Sequence, residues 1–402
     1  MLDSAVVGKE LGQVSQEAYD NLKSVMATCK DKIQNVMTME TLTEVLNSLE
    51  EACNKLVASA VMPAANKYYY ILSTGITLKN TAIAAANNKD GQRLTMGART
   101  ADGAFDEATA MSNYEFVWLL EQDEDGKQYL RNVGTGFYMN GNTTANPSTT
   151  AARTPVKVVY GKAGQFNIVI LENDSTESGS IYLNNNASNV NKYFLDDNCY
   201  YAFQEVNFGD EPFTYVNVSE GWQFKCLPFA VTGCSNGSMY KVLGINSSNQ
   251  LVLQIADVVA PGEPFVYQLT TEGATQDDFG VDLSQGLVSK GNIVNGVEGF
   301  LSGLTLTETG YGILTGGDSI VVTTSSKVIE NNSAVVTKGV PVVDEEGDYL
   351  LDIKGTITGV DTGIEGIVIV PKDGKIYDLQ GRRVTKPGKG VYIIDGKKVF
   401  FK

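Results

Sequence analysis

The hydrophobic period of this chain switches between Pro63 and Lys67, and that switch limits what it can fold into. Upstream, Ala18, Leu22, Val25, Cys29, Ile33 and Val36 recur at spacings of three and four, as do Leu42, Leu46, Leu49, Cys53, Leu56 and Ala60. That is the period of amphipathic helices. Thr41-Leu42-Thr43-Glu44 fits a capping box, whose two side chains satisfy backbone N–H groups reciprocally, and Pro63 closes the second helix. Residues 1–65 are therefore expected to form an antiparallel helical hairpin, each arm roughly 30 Å long at 1.5 Å per residue. Downstream, short β-prone runs separated by Gly, Asn and Pro predict strands and turns.

Three stretches of the β region look like variants of one unit. Lys67-Tyr68-Tyr69-Tyr70-Ile71-Leu72 opens the first, which ends at Phe116-Val117-Trp118. Gln128-Tyr129-Leu130-Arg131 opens the second, which ends at Gln165-Phe166-Asn167-Ile168. Ser180-Ile181-Tyr182-Leu183 opens the third, which runs through Lys192-Tyr193-Phe194-Leu195-Asp196 to Tyr201-Ala202-Phe203. Tyr70, Tyr129 and Tyr182 are 59 and 53 residues apart. A repeat of that length implies units that bury their apolar faces against one another.

A strand, a Gly turn, a second strand, a long loop and an aromatic-X-aromatic strand, taken three times, resembles the ricin-B-like β-trefoil over residues 66–208. The family's Gln-X-Trp signature survives only as Trp118. The resemblance implies sugar binding, in which a polar side chain grips two hydroxyls and an aromatic ring covers the apolar side of the sugar. It also implies an Asp just after the second strand of a repeat. Asn80, Asn140 and Asp196 stand there in the expected alignment, and only the third is acidic. The candidate carbohydrate-binding residues are therefore Asp196, Asn198, Tyr200 and Tyr201, with Asn140, Asn142 and Tyr138 as a second set. A polar β-turn flanked by core tyrosines is the competing reading.

Residues 209–345 are expected to form a β-sandwich-like domain, with strands such as Trp222-Gln223-Phe224-Lys225 and Gln250-Leu251-Val252-Leu253. Leu227-Pro228-Phe229 and Pro261-Gly262-Glu263-Pro264-Phe265-Val266 resemble an uncharacterised β module of Bacteroidetes extracellular proteins, which brings no activity with it. Residues 346–402 read as a glycine-punctuated linker and a short C-terminal β tail. In the tail, Val391-Tyr392-Ile393-Ile394 and Val399-Phe400-Phe401 flank Asp395-Gly396, a two-residue hairpin signal because both central positions of a type I′ turn need positive φ. The tail resembles the C-terminal sorting-type domain of secreted and surface proteins of the Bacteroidetes. That resemblance implies secretion machinery as a partner of residues 371–402, and a secreted or cell-surface location. Met1-Leu2-Asp3-Ser4 lacks the basic start and apolar stretch of a leader; the tail resemblance then implies that the numbering begins after a removed leader, with Met1 added. The fold class expected is thus mainly β: an N-terminal α-helical hairpin, a β-trefoil-like domain, a β-sandwich-like domain and a β tail.

Charge and missing residue types exclude much. Residues 371–402 hold 9 Lys/Arg and 3 Asp, a net of +6, whereas the rest carries 22 basic and 44 acidic residues, a net of −22. So acidic a body argues against nucleic acid, whose phosphates are bound by clustered Lys and Arg. No apolar run reaches the ~20 residues of a transmembrane helix. With 0 histidines, Ser-His-Asp and Cys-His catalysis and HExxH zinc chemistry are unavailable; paired carboxylates, as in glycosidases, remain. The 5 cysteines, Cys29, Cys53, Cys199, Cys226 and Cys234, show no CxxC spacing. Neighbouring strands could pair Cys226 with Cys234, but free buried thiols are the favoured reading. Glu121-Gln122-Asp123-Glu124-Asp125-Gly126 mimics the start of an EF-hand, yet Asn132 stands where the bidentate Glu belongs; a hairpin turn explains it. No cofactor or metal is expected. The leading expectation is a noncatalytic glycan-binding protein. The alternatives are a structural or adhesive surface protein without a sugar site, and an accessory part of a carbohydrate-degrading enzyme.

Overall fold

A computed structural model of the chain describes residues 2–35, 38–85, 91, 93–140, 146–162, 164–171, 180–186, 189–245, 251–314 and 320–337, and in the tail 376–377, 383–384, 390–394 and 397–401. It is mostly β with two N-terminal helices. Two compact units emerge: Met1–Thr214 with Leu287–Lys290, and Tyr215–Gly286 with Gly291–Lys402.

Helices α1 (Gln16–Asn35) and α2 (Met39–Ala58) form the hairpin. Ala18, Leu22 and Cys29 of α1 and Val45, Ala52 and Leu56 of α2 are its buried residues. The expected cap shifts by three residues. Thr38 is the N-cap, its hydroxyl accepting from Thr41 N–H at 3.1 Å, because Met39 and Glu40 already continue the helix. Two residues assigned to the seam by spacing, Ile33 and Leu46, are exposed instead. The hairpin docks on the β region of its own unit through backbone. A Cβ on Gly12 would lie 2.3 Å from Gly164 Cα, and Gly12 has φ +75°, which favours glycine.

The β region of the first unit is a curled sheet of 12 strands among the described residues. In chain order they are β1 (Lys67–Ser73), β2 (Ala82–Ala85), β3 (Leu94–Gly97), β4 (Val117–Gln122), β5 (Gln128–Asn132), β6 (Tyr138–Met139), β7 (Thr149–Thr150), β8 (Lys157–Lys162), β9 (Gln165–Leu171), β10 (Ile181–Asn186), β11 (Asn189–Tyr193) and β12 (Tyr201–Glu205). Strand β1 pairs with β12 and β4, β4 with β5, β8 with β9, and β9 with β12. A single bridge, Gln128 to Val156, joins the remaining two ends and closes a ring of six. The hairpins β2–β3, β6–β7 and β10–β11 hang from β1, β5 and β9 respectively. Each third of the region thus repeats one pattern, but its phase differs from the sequence expectation. Gln165–Leu171 opens the third unit rather than closing the second, and the second closes with Lys157–Lys162. The second unit is compressed, its hairpin strands only two residues each, so aromatic spacing misassigns the boundary.

Alternation explains the core. Tyr69 and Ile71 of β1 join Trp118, Leu130, Phe166, Leu183, Tyr201 and Phe203 in one buried cluster. Tyr70 is buried as well and packs on Phe105, ring centroids 5.1 Å apart. Trp118 Nε1–H donates to Ile83 O at 2.9 Å, so the indole enters the core with its polar atom satisfied.

In the second unit, a four-stranded sheet built on Trp222–Lys225, Phe265–Leu269, Gly237–Ile245 and Leu251–Ile255 shares a buried cluster with a five-stranded one. Phe224, Tyr240, Leu253 and Val266 contribute from the first, Val297, Ala334 and Val336 from the second. Asp277 is fully buried and accepts from Ser235 N, Asn236 N and Tyr267 Oη at 2.9, 2.7 and 2.7 Å. In the tail, Ile376–Tyr377, Arg383–Val384, Gly390–Ile394 and Lys397–Phe401 form a four-stranded sheet. Ile394 pairs with Lys397, consistent with a two-residue connection at Asp395-Gly396, which itself lies outside the described residues, as does the linker at 346–370. All five cysteines are free. Phe166→Ala is expected to lower unfolding free energy by about 3–5 kcal/mol, the range for emptying a packed aromatic site, read in urea as a lower midpoint with unchanged m value.

Candidate functional site

The loop from Tyr193 to Tyr200 concentrates the candidate residues of the third unit. Tyr193 ends β11 and pairs with Tyr182 across the hairpin. Alternation then stops, and Tyr193, Phe194 and Leu195 are 58 %, 58 % and 50 % exposed in succession. The rings of Tyr193 and Phe194 meet edge to face with centroids 6.0 Å apart.

Beside these side chains the backbone is clamped. Asp196 Oδ1 accepts from Asn184 Nδ2 at 2.7 Å and Asn198 N at 2.8 Å. Cys199 N donates to Asp196 O at 3.1 Å, and Asn167 Nδ2 to Cys199 O at 2.8 Å. Asn198 Oδ1 accepts from Thr77 N and Oγ1 at 3.4 and 3.2 Å. Gly75 makes that approach possible, since a Cβ there would lie 2.9 Å from Asn198 Cα. The Cys199 thiol is buried among Asn184, Phe194 O and Asp196, and burial above all pushes its pKa up to about 11. The loop backbone is thus held by hydrogen bonds from Asn167 and Asn184.

The two tyrosines expected from the sequence, Tyr200 and Tyr201, are both packed against the fold. Tyr201 is fully buried in the core; burial drives its hydroxyl pKa well above the ordinary range, and it has no face to present. Tyr200 lies against Gly161, where a Cβ would meet its ring at 2.8 Å, and Lys162 Nζ sits 3.9 Å from its centroid. Lys162 also pairs with Asp197 at 3.6 Å. Within this loop, Tyr193 and Phe194 are the exposed aromatic residues. Three consecutive apolar residues before a double aspartate break strand alternation, and that was the readable signal for them.

The second candidate set is part of a polar network. Tyr138 is buried beneath the Arg131 guanidinium, 4.9 Å from its centroid, and donates to Glu121 Oε2 at 3.3 Å. Arg131 and Arg153 flank Glu121 at 3.6 and 3.4 Å, and Arg153 covers Tyr129 at 4.0 Å. Arg131 also donates to Gly136 O and Ser289 Oγ, so its donors are spent on the fold. Asn140 N donates to Ser148 O at 2.8 Å, and Asn142 lies outside the described residues. Nor are the three aligned acid positions equivalent: Asn80 precedes β2, Asn140 follows β6, and Asp196 follows β11, the third strand of its unit. The EF-hand mimic is a turn between β4 and β5, with Asp123 accepting from Lys127 N and Tyr129 Oη at 2.8 and 2.7 Å.

No protein-family profile matches the sequence, and no curated protein is similar to it. Among solved structures, ThreeFoil, a designed 3-fold symmetric protein, is 14 % identical and aligns with 35 % of this chain and 99 % of its own, at a TM-score of 0.25. A Polyporus squamosus lectin, solved with the epitope Neu5Aca2-6Galb1-4GlcNAc, is 16 % identical over 36 % of this chain and 50 % of its own, at a TM-score of 0.26. Likenesses this slight decide neither a fold nor a ligand. Among the described residues no helix is long and apolar enough to cross a membrane.

The thiols give a test of the packing. Burial raises Cys199 to about 11 and Cys226 and Cys234 to about 12, from an ordinary value of 9.0. The unfolded thiols lose their protons first, so their contribution to stability is complete below pH 9 and is lost as pH rises through the folded values. Iodoacetamide at pH 8 is expected to leave the buried Cys199 and Cys226 unlabelled in folded protein and to label them in urea; equal labelling in both states contradicts the burial.

Proposed function

We propose that this is a noncatalytic glycan-binding protein of the cell exterior, binding through the 193–200 loop of a ricin-B-like β-trefoil at residues 66–208. The observation that carries the reading is the exposed run Tyr193, Phe194 and Leu195 standing directly before the clamped turn Asp196–Asn198. An aromatic face covers the C–H side of a sugar ring, while fixed polar atoms meet its hydroxyls. Asp196 spends Oδ1 on the loop and has Oδ2 to accept from a hydroxyl; Asp197, 67 % exposed, supplies a second acceptor. The six-stranded ring with one hairpin per third supports the trefoil. The proposal divides the chain into hairpin 1–65, trefoil 66–208, sandwich-like domain 209–345 and linker with sorting-type tail 346–402.

The second reading is a structural or adhesive surface protein with no sugar site. The covered rings of Tyr138, Tyr200 and Tyr201 favour it. Glycan-array binding decides between the two. Tyr193→Ala with Phe194→Ala is expected to weaken binding at least about tenfold, as expected for losing stacked aromatic anchors, with the circular dichroism spectrum unchanged. Asp197→Asn tests the polar side without loosening the turn that Asp196 holds. A folded protein silent across the array leaves the second reading standing. Removal of residues 371–402 is expected to abolish surface display; display without them overturns the export role.

A further inference from the structure

The helical hairpin carries more apolar surface than its seam uses. A second set of residues recurs at intervals of seven: Tyr19, Met26 and Ile33 on α1, and Met39, Leu46 and Cys53 on α2. A seven-residue interval keeps a side chain on one stripe of a helix. On α1, Tyr19 follows buried Ala18; on α2, Leu46 and Cys53 follow buried Val45 and Ala52. Both stripes are therefore rotated in the same sense from the seam, and because the helices run antiparallel, both fall on one face of the hairpin. The Cys29 Sγ contact with Val45 O, 3.9 Å, sets the heights. It puts Met26 level with Leu46, Ile33 with Met39, and Tyr19 with Cys53. The last pair is partly covered by the body of the unit. The other four are bare: Met26 is 45 %, Ile33 39 %, Met39 79 % and Leu46 58 % exposed.

The charges beside these stripes differ in sign. Lys23 and Lys30, three before and four after Met26, line the outer edge of α1. Glu50, four after Leu46, lines the outer edge of α2 at the height of Lys23. Among the described residues, none of the three charges has an ion-pair partner.

We propose that a second copy of this chain docks on this face, so that two hairpins make a four-helix bundle. Two helices leave such layers half open, whereas four enclose them. A half-turn about an axis parallel to the helices brings α1 of each chain against α2 of the other. That arrangement stacks the apolar layers and sets Lys23 of each chain against Glu50 of its mate. An axis across the helices would set lysine against lysine, and the charge pattern selects against it.

Sedimentation velocity on the full chain tests this. A concentration-dependent dimer is expected, reduced to monomer by Met26→Glu with Leu46→Glu. Both side chains are exposed, so the thermal melting of the monomer should hold. Glu50→Lys alone is expected to weaken the dimer, and adding Lys23→Glu and Lys30→Glu to it should restore association. Wild-type protein that stays monomeric at every concentration, or a dimer indifferent to Met26→Glu with Leu46→Glu, overturns the proposal. If that variant fails to fold, the charge swap decides: failure of the triple variant to recover the dimer is equally fatal.

Discussion

The first unit depends on a closure made at Gln128. Between β5 and β8 the ring has no ladder, only the bridge to Val156. Gln128 O accepts from Val156 N at 2.9 Å, and its side-chain Oε1 accepts from Val158 N at 2.8 Å. One residue thus satisfies two N–H groups that would otherwise line an open edge. Open edges invite pairing with other chains, and closure removes them. The core cluster, from Tyr69 to Phe203, is enclosed because the six strands meet.

Regular features were legible in the sequence, and those set by distant partners were not. Spacing located both helices and the buried residues Leu22, Cys29 and Leu56. It could not say that Ile33 and Leu46 face outward, because they recur at the same spacings of three and four as the buried residues. The strands at Lys67 and Tyr201 were visible as aromatic runs. The strand at Lys157 was not, because it belongs to a unit too short to keep the repeat, with hairpin strands of two residues each. The polar turn at Asp196, the competing reading, was legible, and the exposure of its aromatic neighbours was not. Burial of Tyr201 and coverage of Tyr200 by Gly161 and Lys162 are set by chain far upstream, and no local pattern reports them.

The Asp196 turn also shows how buried polarity stiffens a surface loop. Asn167 and Asn184 are both buried, yet each spends its amide on the loop. Buried amides left unpaired are costly, so these bonds resist opening. The result is a fixed backbone directly beside freely exposed rings, a combination that strand or loop alone does not supply.

Pairing of the first strand with the last has a consequence for synthesis. Lys67 and Glu205 join by an ion pair although 138 residues separate them. The helices fold from local contacts, whereas the ring of six cannot be completed until β12 has left the ribosome. Long sequence separation slows folding. During elongation, the nascent chain therefore carries an early helical pair ahead of an unfinished sheet, with the β1 edge that β12 will cover still unpaired.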